Sequence, residues 1–294
     1  MFQKILICTD FQDGLQRLIR FVPSLAKSGL QQIVFCHVVP VSAERDIPKV
    51  DTQKIEAARK RLSVALENVP DGIEVKVEVC SGRFTDAALK FIETYQSDLV
   101  LLGTQQRTLL NEKLFGSNTV ELTQRLGIPL MSIRPPLIST YTNEELELRC
   151  QHLFRSLLVP YDGSDASTAL LERIEESARN PSTNSLEECV LVQVLDTAGQ
   201  RQAVRQEDCI ATASQQMEPM KARLEALGLN AEIEVRQGDP LAELLDVALE
   251  YDITAIAIAA RNMQNKLVDW SRPKFSAQVL RSSWHPVIFF PRER

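Results

Sequence analysis

The sequence predicts an α/β protein made of two tandem domains, each a five-stranded parallel sheet covered by helices on both faces. Three observations predict it. Short apolar runs alternate with helically spaced segments along all 294 residues. That alternation restarts after a polar, acidic connector at 137–154. Each strand of the first half also has a counterpart in the second. Lys4 matches Ser156 and Ile128 matches His285, so the offset drifts only from 152 to 157 residues.

The first half reads as follows. Lys4 to Asp10 is a short apolar strand ending in a carboxylate. Leu15, Leu18, Ile19, Val22 and Leu25 have helical spacing, and Gly29 ends that helix. Gln32 to Val39 is a buried strand. Asp51 to Glu67 is a helix with Ile55, Leu62 and Leu66 on one face. After the turn Pro70-Asp71-Gly72, Ile73 to Val79 alternates strictly, as a strand at or near an edge does. Asp86 to Tyr95 is a helix. The apolar run Leu99 to Leu102 ends at Gly103, and a loop leads to Gly116-Ser117 and the amphipathic run Val120 to Leu126. Gly127-Ile128-Pro129 breaks that run, and Leu130 to Ile133 is the last strand. In the second half, Ser156 to Asp162, Cys189 to Val194, Ala231 to Gly238 and His285 to Phe290 match strands 1, 2, 3 and 5.

Right-handed crossovers leave few topologies for such a chain, and the flavodoxin-like order 3-2-1-4-5 fits. Its switch point lies between strands 1 and 4, where ligands of such folds sit at the carboxyl ends. Those ends are Asp10 and Gly103. A glycine ending a buried strand and a Gly-Ser opening a helix both let backbone approach a phosphate, and helix starts expose free N–H groups. Plain turn glycines at 103 and 116, an N-cap at Ser117 and a helix cap at Asp13 are equally open on sequence. A structural role suits His37 better than a ligand role.

Composition narrows the function. With 44% hydrophobic and 24% charged residues the chain is that of a soluble globular protein. Its net charge of −6 disfavours a nucleic-acid surface. Residues 1–138 carry 17 Lys and Arg against 15 Asp and Glu, and the remainder 16 against 24, so the first half suits an anionic ligand better. The run Ile253 to Ala260 is far below the roughly 20 residues a membrane span needs. Ile5 to Cys8 is too short for a signal peptide, so a cytoplasmic protein is expected. Six scattered cysteines without a CxxC point to reduced thiols, and with three distant histidines no metal site is expected. No P-loop, no GxSxG elbow and no nucleophile triad can be assembled, so no catalytic residue is assigned.

The motifs resemble the universal stress protein family in its tandem form. The resemblance rests on Cys8-Thr9-Asp10-Phe11, His37-Val38, Asp98 to Gly103, Gly116-Ser117 and Ile128-Pro129, with Tyr161 to Ser164 and Gly238-Asp239-Pro240 in the second half. It implies two adenine nucleotide alpha hydrolase-like domains, 1–138 and 155–294, joined by a linker at 139–154. It also implies a nucleotide site in the first domain at Cys8, Asp10, Val38, Gly103, Thr104, Gln106, Gly116, Ser117 and Asn118. Gln106 stands where the family's ATP-binding members have a middle glycine, which weakens the site rather than abolishing it. In the second domain Ala260, Met263 and Pro273-Lys274 replace the glycine pattern, and Pro273 lacks the N–H a phosphate needs. Asp162, Gly163 and Ser164 remain there as a degenerate second site. The expected function is therefore a stress-response regulatory or sensor module. It would bind ATP or AMP, with Mg²⁺ if ATP, and the second domain would serve as pseudo-dimer partner through the fifth strands. A homodimer or an unknown protein partner is compatible with that role. The alternatives are an adaptor acting through protein contacts without a nucleotide, or a slow ATPase or autophosphorylating protein.

Overall fold

The computed structural model describes residues 1–41, 50–103, 121–122, 125–179, 185–195, 206–259 and 275–291. The chain forms two compact units, Phe2–Gln151 and His152–Arg292. In the first, strands β1 (Lys4–Cys8), β2 (Gln32–Val39), β3 (Glu74–Ser81), β4 (Leu99–Gly103) and β5 (Leu130–Ile133) lie in the order β3-β2-β1-β4-β5, every pair parallel. In the second, β6 (Ser156–Pro160), β7 (Glu188–Leu195), β8 (Asn230–Gln237), β9 (Ala255–Ala259) and β10 (Val287–Phe290) repeat it as β8-β7-β6-β9-β10. This is the doubled 3-2-1-4-5 α/β fold expected from the alternation. Ile5, Leu6, Ile7, Leu99, Val100 and Leu101 are fully buried, as central parallel strands must be when both faces are covered. At the edge, Glu74, Val75 and Lys76 run exposed, buried, exposed.

The helices follow local chemistry. The single helix expected over 15–27 is divided into a 3-10 helix, Leu15–Arg20, and α1, Val22–Lys27. Pro23 explains the break. It lacks an N–H and its ring clashes with the carbonyl four residues back, so it is tolerated only in the first turn of a new helix. Asp51 caps α2 (Thr52–Leu62) by accepting from the Lys54 N–H, and α3 is Phe84–Tyr95.

The acidic connector holds two helices of the first unit, α4 (Pro135–Thr140) and α5 (Asn143–Gln151). Thr142 and Glu145 form a reciprocal capping box at the start of α5, at 2.8 and 3.3 Å. Leu146 and Cys150 are buried beneath it, and Arg17 donates to the carbonyls of Ile138 and Tyr141. The second unit carries α6 (Asp165–Ala178), α7 (Gln206–Glu225), α8 (Pro240–Glu250) and α9 (Phe275–Ser282).

The duplication extends to single side chains. Asp98 accepts from the Gln3 and Lys4 N–H groups and ties the start of β4 to β1, and Thr254 does the same for β9 and Ser156. Tyr95 donates to Glu78 as Tyr251 donates to Glu234. The helices before β4 and β9 both turn through left-handed backbone, at Gln96 (φ 52°) and Asp252 (φ 46°), without a glycine.

Candidate functional site

The site expected at the switch point begins where β1 ends. The Thr9 N–H still donates to the Cys36 carbonyl at 3.0 Å, and beyond it the chain coils into a tight turn. Asp10 Oδ1 accepts from the N–H groups of Gln12 and Asp13 at 2.8 and 3.0 Å, an Asx-type turn. Asp10 is exposed, and its Oδ2 makes no hydrogen bond among the described residues. Asp13 folds back inside the turn and is 7% exposed. Its Oδ1 accepts from the Thr9 hydroxyl at 2.8 Å and the Leu15 N–H at 3.0 Å, and Oδ2 from the Asp10 N–H at 3.3 Å. Burial raises the pKa of Asp13, with the Asp10 charge adding to it, while the Thr9 hydroxyl and the two amides oppose the shift.

Across the switch point, Asp13 meets Gly103 at the end of β4. A Cβ added to Gly103 would lie 2.5 Å from Asp13 Cβ and 3.0 Å from its Cγ. The glycine at 103 therefore has a reason within the protein itself: the Asp13 side chain needs that space.

Phe11 sits at φ 65°, a left-handed conformation unusual for a bulky residue. Its ring centroid is 4.4 Å from that of His37, and the Arg61 guanidinium carbon lies 4.3 Å from it. His37 Nδ1 is 2.8 Å from the Thr9 carbonyl, which can only accept, so Nδ1 carries the proton. The next residue, Val38, is half-buried at the end of β2. Cys8 is 4% exposed, with its Sγ 3.2 Å from Cys36 Sγ. The hydrogen bond to Cys36 and burial together raise the Cys8 pKa well above its ordinary value, so the group is a neutral thiol.

In the second unit the same turn is built from Asp162, Gly163 and Ser164. Asp162 Oδ1 accepts from the Ser164 N–H at 3.1 Å and the Ser167 hydroxyl at 3.0 Å. Gly163 takes φ 71°, the conformation of Phe11, and Ser164 caps α6 by accepting from the Ser167 N–H.

Comparison with known proteins decides the kinship. The sequence profile of the universal stress protein family matches residues 1–134 and 153–291. The chain belongs to the universal stress protein family. Universal stress protein Slr1230 of Synechocystis sp. is 25% identical over 131 residues, which is 45% of this chain and 42% of that protein. The chain thus spans less than half the length of that relative. Universal stress protein MJ0531 of Methanocaldococcus jannaschii is 23% identical over 143 residues, 46% of this chain and 84% of that protein. A crystal structure of a universal stress protein from Archaeoglobus fulgidus shares the fold across 99% of this chain and 98% of its own, with a TM-score of 0.68 and 18% identity.

For this universal stress protein, Cys8, Asp10, Val38 and Gly103 all lie at the carboxyl ends of three adjacent strands, β2, β1 and β4. Thr104, Gln106, Gly116, Ser117 and Asn118 lie outside the described residues, as do Ala260, Met263, Pro273 and Lys274. Sequence alone does not pair three residues at the site. Asp13, a helix cap on sequence, is also the neighbour of Gly103, while the Arg61 guanidinium packs on the Phe11 ring. The alignment did carry one signal. Phe11 faces Gly163 in the repeat, and a glycine in one copy of a turn marks a left-handed position in the other.

Proposed function

We propose that the first domain binds an adenine nucleotide, ATP or AMP, and that the chain acts as a stress-response regulatory module with the second domain as a structural partner. The observation that carries this reading is the meeting of Asp10, Val38 and Gly103 at the strand ends flanking the switch point, where doubly wound sheets hold ligands. The spare Oδ2 of Asp10 suits a hydroxyl donor of a ribose, and half-buried Val38 suits the face of a base. Phosphate contacts in this reading fall to Thr104, Gln106, Gly116, Ser117 and Asn118, while Cys8 is buried at the end of β1. If the nucleotide is ATP, Mg²⁺ would accompany its phosphates.

The test is thermal. About 1 mM ATP with Mg²⁺, or AMP, raises the melting temperature if it binds the folded state alone. A shift with the unaltered chain supports the reading, and a larger shift in Gln106→Gly supports the assignment of that position. No shift with either chain overturns it.

A second reading, an adaptor without a nucleotide, is favoured by one observation. The Asp13 side chain already occupies the space over Gly103, and its carboxylate would repel a free phosphate there. Purified protein carrying no nucleotide by mass spectrometry, together with no thermal shift, would select it.

A further inference from the structure

Folding of the first turn does not require an aromatic ring at position 11. Left-handed backbone costs an ordinary side chain about 1–2 kcal/mol. Gly163 takes the same conformation in the second domain with no side chain, and a Cβ there would meet nothing within 4 Å. The turn therefore needs the backbone shape, whereas the Phe11 ring has other partners. His37 and Arg61 each approach its centroid, at 4.4 and 4.3 Å. Both groups thus pack against the Phe11 ring, the His37 ring tilted 37° to it, and the cluster Arg61–Phe11–His37 lies at the carboxyl ends of β1 and β2. Its inner end is fixed by the bond from His37 to the Thr9 carbonyl. Its outer end, Arg61 on the last turn of α2, is exposed and makes no hydrogen bond or ion pair among the described residues.

We infer that the Arg61 guanidinium is the stacking surface for the base of the bound nucleotide. This rests on the nucleotide reading above. A guanidinium is planar, delocalised and weakly hydrated, so it stacks on a purine face as readily as on Phe11. Phe11 holds it in place beforehand, which lowers the ordering cost when a base arrives. Arg61 is the binding residue in this arrangement, and Phe11 and His37 are positioning residues. The ligand class is a purine nucleoside or nucleotide, and the stacking is independent of its phosphates.

Calorimetric titration of the full chain and of Arg61→Ala and Arg61→Lys with AMP and with adenosine tests it. Removing a stacking partner costs about 1–3 kcal/mol per base, so affinity for both ligands should fall about tenfold or more in Arg61→Ala. Arg61→Lys should lose as much, because an ammonium keeps the charge but not the plane. Wild-type adenosine affinity in Arg61→Lys overturns the inference, as does a loss in Arg61→Ala confined to AMP, which would be attraction of the phosphate alone. If the unaltered chain binds and Arg61→Ala binds equally well, only the stacking role falls. If the unaltered chain binds neither ligand, the nucleotide reading falls and this inference with it.

Discussion

The side chain of Asp13 rests against the Cα of Gly103, so closely that a Cβ at 103 would stand 2.5 Å from Asp13 Cβ. Neither residue can move freely: Asp13 is held by three donors, and Gly103 belongs to the β4 ladder. Gly103→Ala is therefore expected to lower stability by about 1–3 kcal/mol, as overpacking does. Asp13→Ala keeps the offending Cβ and should not relieve the loss, whereas Asp13→Gly should. Urea denaturation of the two double variants and their parents reads this directly, and additivity in the Gly103→Ala/Asp13→Gly pair would disprove the contact.

Exchange at the turns of positions 11 and 163 should destabilise both, for opposite reasons. Gly163→Ala introduces left-handed strain with nothing to pack against, at about 1 kcal/mol. Phe11→Gly relieves similar strain but loses the contacts to His37 and Arg61, each worth about 0.5–1.5 kcal/mol. Packing outweighs strain, so both variants should melt below the parent. A Phe11→Gly chain that melts higher would show that the cluster contributes little.

Two aspartates, the buried Asp13 and the half-buried Asp98, set a pH dependence. Burial raises the folded-state pKa of Asp13 and of Asp98 above the ordinary value, so folding favours their protonated forms. Their contribution is fully present below the unfolded value of about 3.9. It is lost as pH rises through the raised folded values. Carboxyl chemical shifts followed by NMR should place both midpoints above those of exposed aspartates. In Asp13→Asn the part of the stability profile due to Asp13 should vanish.

Each tyrosine beside a glutamate should titrate late. The hydrogen bonds to Glu78 and Glu234 push Tyr95 and Tyr251 up to about 12. Their bonds favour the fold at pH values below the unfolded tyrosine pKa of about 10. That benefit is lost as pH rises through about 12. Ultraviolet titration should show a late phase, and Tyr95→Phe with Tyr251→Phe should remove it.

Much of the frame is legible in the sequence because it repeats. Ile5 to Cys8 and Ser156 to Val159 are buried without a break, as strands of a parallel sheet covered on both faces are. The break at Pro23 was legible in principle from its missing N–H, but the apolar spacing around it concealed it. The connector was harder. Asn143-Glu144-Glu145 looks like a solvated run, and the Thr142–Glu145 capping box that opens α5 shows only once both backbones are helical.

What the sequence determined by itself is the periodic part: two βα repeats, the strand order that right-handed crossovers permit, and the strand ends at Asp10 and Gly103. The tertiary structure alone decided what meets at those ends. Asp13 and Gly103 lie 90 residues apart in the chain, and Phe11 and Arg61 lie 50 apart. Periodicity arises from interactions within one strand or one helical turn, so it is written locally. Which side chain fills the space over a distant glycine depends on how helices and strands pack, and no local pattern carries that information.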